Sequence, residues 1–218
     1  TRQTSLVCYG VKLPKDAPKF VKTTVAANDV RFSPHVLIAR APVELCLPAE
    51  QPTPTPTSTP APGKRVFVTS TTTTGGFGGT FGADTICAGR ATAAGLAGTF
   101  NAWLSVTGDG PSTRFTQSAL PYGLVDGTVI ANDWSDLTDG ALAHAIDLDE
   151  SGHAVSVSDV WTATTSAGNP TAANCNNFLN ATAAVTGVCG STGQSNGAWT
   201  NSSTPTCNTT LRLYCFEQ

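Results

Sequence analysis

The sequence predicts an α+β domain over residues 65–218, preceded by a small all-β module (1–50) and a Pro/Thr-rich linker (51–64). Three observations carry this. The run PTPTPTSTPAPG at 52–63 interrupts every regular element. Charge reverses across it: residues 1–50 hold seven Lys/Arg against four Asp/Glu, net +3, whereas residues 66–218 hold three Arg against eleven acids, net −8. The hydrophobic pattern also changes, from short β-branched runs before the linker to a mixture of helical spacing and strand runs after it.

The linker follows from its prolines. Nearly every second residue lacks an amide N–H and has a fixed φ, so neither a helix nor a sheet ladder can form. An extended polyproline-like spacer is expected, spanning about 35 Å at roughly 3 Å per residue. Its hydroxyls at Thr53, Thr55, Thr57, Ser58 and Thr59 are flanked by proline and are candidates for O-glycosylation.

Upstream, the runs 5–13, 19–26, 30–40 and 42–48 are rich in Val, Ile, Leu, Phe and Thr and are separated by Pro and Asn-Asp signals. They predict a four-strand antiparallel meander. Cys8 in the first run and Cys46 in the last are placed to tie its ends. Some fifty residues bury little surface, so a disulfide or a docking partner is needed for stability. The elements L-V-C-Y-x-V-K, P-K-F-V-K-x-T-V and P-V-E-L-C-x-P-A resemble a small two-cysteine β module of secreted proteins from environmental bacteria. The resemblance implies a fold and an extracellular location, and no activity.

Downstream, VFVTS (66–70) predicts a first strand. GADTICAGRATAAG (82–95) predicts an amphipathic helix, with Ala83, Ile86, Cys87, Arg90, Ala91 and Ala94 at 3–4 spacing, Asp84 in its N-terminal turn and Gly95 as its stop. GTFNAWLS (98–105) predicts a strand entry, NDWSDLTDG (132–140) a short helix capped by Asn132 or Ser135, and LRLYCFEQ (211–218) a final strand. The four tryptophans, Trp103, Trp134, Trp161 and Trp199, are expected in the core.

Composition narrows the class. Hydrophobic content is 40% and charged content only 12%, with Ser, Thr, Asn, Gly and Ala filling the gap as in secreted surface proteins. Nothing approaches the roughly 18 apolar residues of a membrane span. Met is absent and the first residue is Thr1, the pattern expected of a mature chain whose leader has been removed. Seven cysteines, at 8, 46, 87, 175, 189, 207 and 215, include no C-x-x-C pair and no His at ligand spacing. Disulfides in an oxidising compartment are expected, rather than zinc or thioredoxin-type chemistry.

The motifs VFVTST, G-A-D-x-x-C, A-A-G-L-x-G-T-F-x-A-W-L-S and the terminal L-Y-C-F-E-Q resemble the endostatin-like branch of the C-type lectin-like fold, closest to bacterial domains of unknown function. The likeness covers about residues 65–218. It implies two nested disulfides, Cys87–Cys215 and Cys175–Cys207. Cys189 matches nothing in the family pattern. It is read as an unpaired buried thiol, the other readings being a cross-link to another subunit or a competitor for Cys175 or Cys207. The family's zinc site needs histidines near the domain start, and residues 64–80 contain none. Its heparin binding needs clustered arginines, whereas only Arg90, Arg114 and Arg212 occur beyond the linker edge. Neither property carries over, since an acidic surface repels sulfated glycans.

Several motifs suggest chemistry that their context does not support. GQSNG (193–197) fits G-x-S-x-G, but His144 and His153 precede it and no Asp follows Asp159. TTTTGGFGGTFGAD (71–84) lacks the Lys of a phosphate-binding loop, so its glycines are read as turn-formers. Asp133, Asp136, Asp139 and DLDESG (147–152) offer oxygens of the kind Ca²⁺ takes, yet without full loop spacing they are read as solvated acids. His35, His144 and His153 read as surface residues. The sequons at Asn180, Asn201 and Asn208 matter only in a host that N-glycosylates. No basic patch interleaved with aromatics suggests nucleic acid.

The expected function is that of a non-enzymatic extracellular structural protein without cofactor or metal. Its partners are other copies of itself, joined head to tail between the basic module and the acidic domain. The rival expectation is an adhesin or lectin that binds glycan or protein through loops at 106–120 and 163–206.

Overall fold

The computed structural model describes residues 63–218 and four upstream strands, β1 (Leu6–Gly10), β2 (Thr23–Asp29), β3 (Phe32–Ala39) and β4 (Glu44–Pro48). The chain divides into two units, Thr1–Thr57 and Ser58–Gln218.

In the first unit the expected meander is corrected. β1 pairs with β4 and β2 with β3, both antiparallel, as two separate two-stranded ribbons. Sequence distance explains the change. Residues 30–31 are a two-residue connection that suits a hairpin between β2 and β3, whereas residues 11–22, with Pro14 and Pro18, are too long and too broken for a tight turn between β1 and β2. The register of the outer ribbon sets Cys8 opposite Cys46, and residues so placed lie within the Cα separation a disulfide requires.

In the second unit, two runs with no polar alternation, VFV at 66–68 and LYCF at 213–216, form the centre of the sheet. Strands that read this way are covered on both faces. β5 (Lys64–Val68) and β11 (Arg212–Glu217) pair antiparallel. Parallel to β5 lies β7 (Tyr122–Leu124), which pairs with β8 (Val129–Ala131). The other edge of β11 is shared. β9 (Asp159–Trp161) pairs with its first residues, and β6 (Phe100–Ala102) with its last. β10 (Cys189–Ser191) extends the sheet beyond β9. The result is a seven-stranded mixed sheet, and the domain is α+β.

Each face has its own core. Phe67, Leu213 and Cys215 point to one side, where helix α1 (Gly79–Ala93) packs through Ala83, Cys87 and Ala91. Val66, Val68, Tyr214 and Phe216 point to the other, against Trp103, Trp199, Phe115 and Ile130. Trp103 lies 4.9 Å from Trp199 and 5.3 Å from Phe216, distances typical of packed aromatic pairs. Its indole N–H donates to Thr200 Oγ1 at 2.8 Å, whereas that of Trp199 finds no partner among the described residues. Trp103, Trp161 and Trp199 are fully buried, while Trp134 is half-buried.

Two boundary expectations are corrected. α1 begins three residues earlier than its apolar spacing indicates, because Gly78 (φ 96°) and Gly79 (φ 70°) turn the chain into the helix through the left-handed region. Asp84 is therefore not in the first turn. Its carboxylate accepts from the Ala102 N–H at 2.9 Å, and its two oxygens accept from Arg114 Nη2 at 2.9 and 2.6 Å. The other end stops at Gly95 (φ 71°), as its residue type indicates. Two short helices follow, α2 (Pro111–Arg114) and α3 (Trp134–Leu137). α3 is capped by Asp133, whose carboxylate accepts from the Asp136 N–H at 2.9 Å, and not by Asn132 or Ser135. The sequence signal misses by one residue for Asn132 and by two for Ser135, because Asn, Asp and Ser, all cap-formers, crowd the start of the helix.

Disulfides join Cys87 to Cys215 and Cys175 to Cys207. The first fixes α1 to β11 across 128 residues of chain, worth about 5 kcal/mol as removed loop entropy, and the second closes 32 residues, worth about 4 kcal/mol. Replacing Cys87 and Cys215 together by Ala should lower unfolding free energy by about 5 kcal/mol in denaturant titration. A loss under about 1 kcal/mol would show that the packing of β11 alone holds the domain.

Candidate functional site

The charged side chains are distributed so that every arginine is used inside the domain. Arg65 pairs with Glu217 at 2.8 Å. Arg90 pairs with Glu150, Arg114 with Asp84 and Asp109, and Arg212 donates to the Thr69 carbonyl at 2.6 Å. Among the described residues, Asp126, Asp133, Asp136, Asp139 and Asp159 form no ion pair. Three of these acids do local work: Asp133 caps α3, Asp136 accepts from the Asn132 backbone and side-chain N–H at 2.7 and 2.9 Å, and Asp139 accepts from the Ala141 N–H. With Asn132 and Ser135 they line an open depression of about 360 Å³. A second, mostly apolar depression of about 350 Å³ lies where β5 meets β7, lined by Pro121, Leu124, Val125 and Val129 with Lys64 and Asp126.

The reading of DLDESG as solvated acids is corrected. Glu150 is 3% exposed and Asp149 8%. Glu150 accepts from the Ser70 N–H at 2.9 Å, from the Ser70 hydroxyl at 2.6 Å and from Arg90 Nε at 2.7 Å. The strand end at Ser70 and the last turn of α1 thus converge on one carboxylate, and pairing is what makes its burial tolerable. Asp149 instead organises its own turn, accepting from the Ser151 and His153 N–H groups. Among the described residues no group of three His, Cys, Asp or Glu side chains is arranged to hold a metal.

Cys189, on β10, has no disulfide partner and is buried, its sulfur 2.9 Å from the Ser203 hydroxyl. Burial pushes its thiol above the ordinary value, against the opposing hydrogen bond from Ser203. Ser195 of GQSNG lies in an exposed loop whose carbonyl accepts from Leu142 N–H, just before the 3₁₀ turn Gly197–Trp199. His144 and His153 are exposed. The linker hydroxyls Thr53, Thr55, Thr57, Ser58 and Thr59 lie outside the described residues.

One feature has no counterpart among the sequence-level expectations. Cys175, Asn176, Asn177 and Phe178 all adopt positive φ, between 54° and 57°, a full left-handed turn. Each such residue costs roughly 1–2 kcal/mol without glycine, so the surroundings must enforce the turn. The Cys175–Cys207 disulfide anchors its start. Phe178, fully buried, stacks on Phe77 at 4.9 Å and meets Trp161 edge-on at 6.0 Å. Asn174 accepts from the Asn177 N–H at 3.0 Å, and Asn177 in turn accepts from the Thr107 N–H at 2.8 Å. The turn leaves Leu179 70% exposed, close to the start of α1, where Phe81 is 82% exposed. The signal available in the sequence was the Asn-Cys-Asn-Asn cluster at 174–177, since Asn tolerates this backbone region best after glycine.

No family model and no curated protein matches the chain.

Two measurements check the electrostatic reading. Burial alone would raise the pKa of Glu150, but hydrogen bonds from Ser70 and Arg90 outweigh it and hold the carboxyl below its ordinary 4.5. Folding then favours the ionised form, so this stabilisation is complete above pH 4.5 and is lost as pH falls through the folded value. Denaturation midpoints between pH 6 and pH 3 should fall more steeply for the native chain than for Glu150→Gln; parallel curves would rule the network out. For Cys189, alkylation of the native protein at pH 8 should leave its peptide unlabelled, with full labelling only in denaturant. Rapid native labelling would place the thiol at the surface.

Proposed function

We propose that this chain is a non-enzymatic extracellular structural protein whose copies join head to tail. In this reading, the basic N-terminal module of one copy docks on the acidic C-terminal domain of the next, and residues 65–218 form a C-type lectin-like domain of the endostatin-like branch. The observation that carries the assembly is the internal use of all four arginines from Arg65 onward, which leaves Asp126, Asp133, Asp136, Asp139 and Asp159 without an ion pair among the described residues, on a domain already rich in acid. Opposite charge on the two modules favours encounter between copies and disfavours like-to-like contact of either module.

Two further points support it. Among the described residues each N-terminal ribbon has only two strands, and isolated two-stranded ribbons are marginally stable. Among the described residues no third strand joins either ribbon, and such edges can pair with a neighbouring chain. A head-to-tail contact joins different surfaces, so it propagates into a fibre unless the rotation closes it into a ring. The two disulfides support the extracellular setting. No helix among the described residues is long and apolar enough to cross a membrane.

Electron microscopy of the purified protein at low and high salt tests this. Polymers or rings should form at about 20 mM NaCl and disperse at about 1 M, where the Debye length is about 3 Å. Asp133→Asn with Asp136→Asn and Asp139→Asn should shorten or abolish them. Monodisperse monomers at high concentration and low salt would refute the reading.

A further inference from the structure

The GQSNG loop has no catalytic partners, yet it contains a reactive pair of another kind. Asn196 is followed by Gly197, and no other asparagine in the chain precedes a glycine. Residues 193–196 are all exposed and lead from β10 into the 3₁₀ turn Gly197–Trp199. An asparagine side-chain amide can be attacked by the backbone nitrogen of the next residue. Glycine is the residue that hinders this least, since it has no Cβ and its backbone rotates freely.

The local geometry favours that attack. Asn196 is extended (φ −89°, ψ −178°), and its side-chain oxygen accepts from the Ala198 N–H at 3.0 Å. The amide is thereby folded along the chain across the Gly197 nitrogen, which lies between the two bonded residues. The Ala198 N–H also points at the oxygen that gains negative charge when Cγ is attacked, and a donor so placed stabilises the developing oxyanion. Among the described residues the Gly197 N–H donates to no acceptor, so no hydrogen bond has to break before the nitrogen reacts.

We propose that Asn196 is a self-modifying site, which in the native fold cyclises onto the Gly197 nitrogen and converts to aspartate and isoaspartate. The Gly197 nitrogen bonds to Asn196 Cγ and gives its proton to solvent base. The Cγ–Nδ2 bond breaks and ammonia leaves, which closes a succinimide. Water then opens the ring. Addition at Cγ restores the ordinary backbone with an aspartate side chain. Addition at the former backbone carbonyl leaves Gly197 attached through Cγ, as isoaspartate.

The two products differ in what they disturb. Aspartate is as good a cap as asparagine and adds one negative charge. Isoaspartate lengthens the backbone by one carbon between the bridge to Ala141 and the bond from the Trp199 N–H to the Asn196 carbonyl. Trp199 is fully buried, 4.9 Å from Trp103 and 5.7 Å from Tyr214, so the lengthened chain pulls on the tryptophan core. Ala141 also donates to Asp139, which sets residue 196 beside the acids at 133–139. On the head-to-tail reading, the new carboxylate adds to the surface that receives the basic module; the chemistry itself does not rest on that reading.

Peptide mapping of the full chain, aged at pH 8 in oxygen-18 water, tests the site. The peptide holding Asn196 should lose its amide, gain oxygen-18 and become a substrate for an isoaspartyl methyltransferase. Asn201 and Asn208, both exposed, should keep their amides over the same interval. Gly197→Ala should slow the conversion at least severalfold. A Cβ there meets only the Gly140 carbonyl, at 3.8 Å, so the fold accommodates it. Native protein that retains the Asn196 amide overturns the proposal. So does conversion of Asn201 or Asn208 at a comparable rate, or a Gly197→Ala rate equal to the native one. The measurement reads one peptide and gives the same answer whether or not the chain polymerises, so it fails or succeeds apart from the head-to-tail reading.

Discussion

The C-terminal domain depends on strand β11. Its six residues carry hydrogen bonds along both edges, to β5 on one side and to β9 and β6 on the other. They also supply both cores. Leu213 and Cys215 face α1, and Tyr214 and Phe216 face the tryptophan cluster. Neither core is complete until β11 inserts between β5 on one side, more than a hundred residues earlier, and β6 and β9 on the other, of which β6 is likewise more than a hundred residues earlier and β9 about fifty. Such contacts must repay a large loop-closure entropy, so slow formation is expected of the topology. The Cys87–Cys215 disulfide bears on that cost directly, because it keeps β11 near α1 even when the sheet opens.

Around this frame the few charges are spent on architecture. Glu217 closes the far end of β11 on Arg65: burial would raise its pKa, and the Arg65 hydrogen bond holds it below the ordinary value. Glu150 ties the end of β5 to α1 through Arg90 and Ser70, and Asp84 ties α1 to α2 through Arg114. These are partly buried pairs, the class in which removing one partner is costly. The arginines being consumed inside, the exterior is left with unpaired acids, and charge along the chain is concentrated between Asp109 and Asp159 and absent from residues 160–211.

The sequence was legible where long-range burial writes a strong local pattern. VFVTS and LRLYCFEQ announced the first and final strands of the domain, and the 3–4 spacing that includes Ala83, Cys87 and Ala91 announced the buried face of α1. β7, β8, β9 and β10 are three residues each, too short to show a period, and are specified by the partners they meet. The burial of Glu150 was hidden because its partners, Ser70 and Arg90, stand 80 and 60 residues away. The two-ribbon pairing of the N-terminal module was missed because strand propensity says where strands are and not which neighbours they choose. The left-handed turn at 175–178 was missed for a related reason. Asn permits that backbone region, but only the disulfide and the stack beneath Phe178 require it.

The claim that the two modules belong to different copies in contact is tested most directly by zero-length carbodiimide cross-linking of an equal mixture of ¹⁵N-labelled and unlabelled protein at low salt. The account predicts mixed-isotope links from Lys12, Lys15, Lys19 or Lys22 to Asp133, Asp136 or Asp139. Links confined to peptides of one isotope, or no links between the module and these acids, would contradict it.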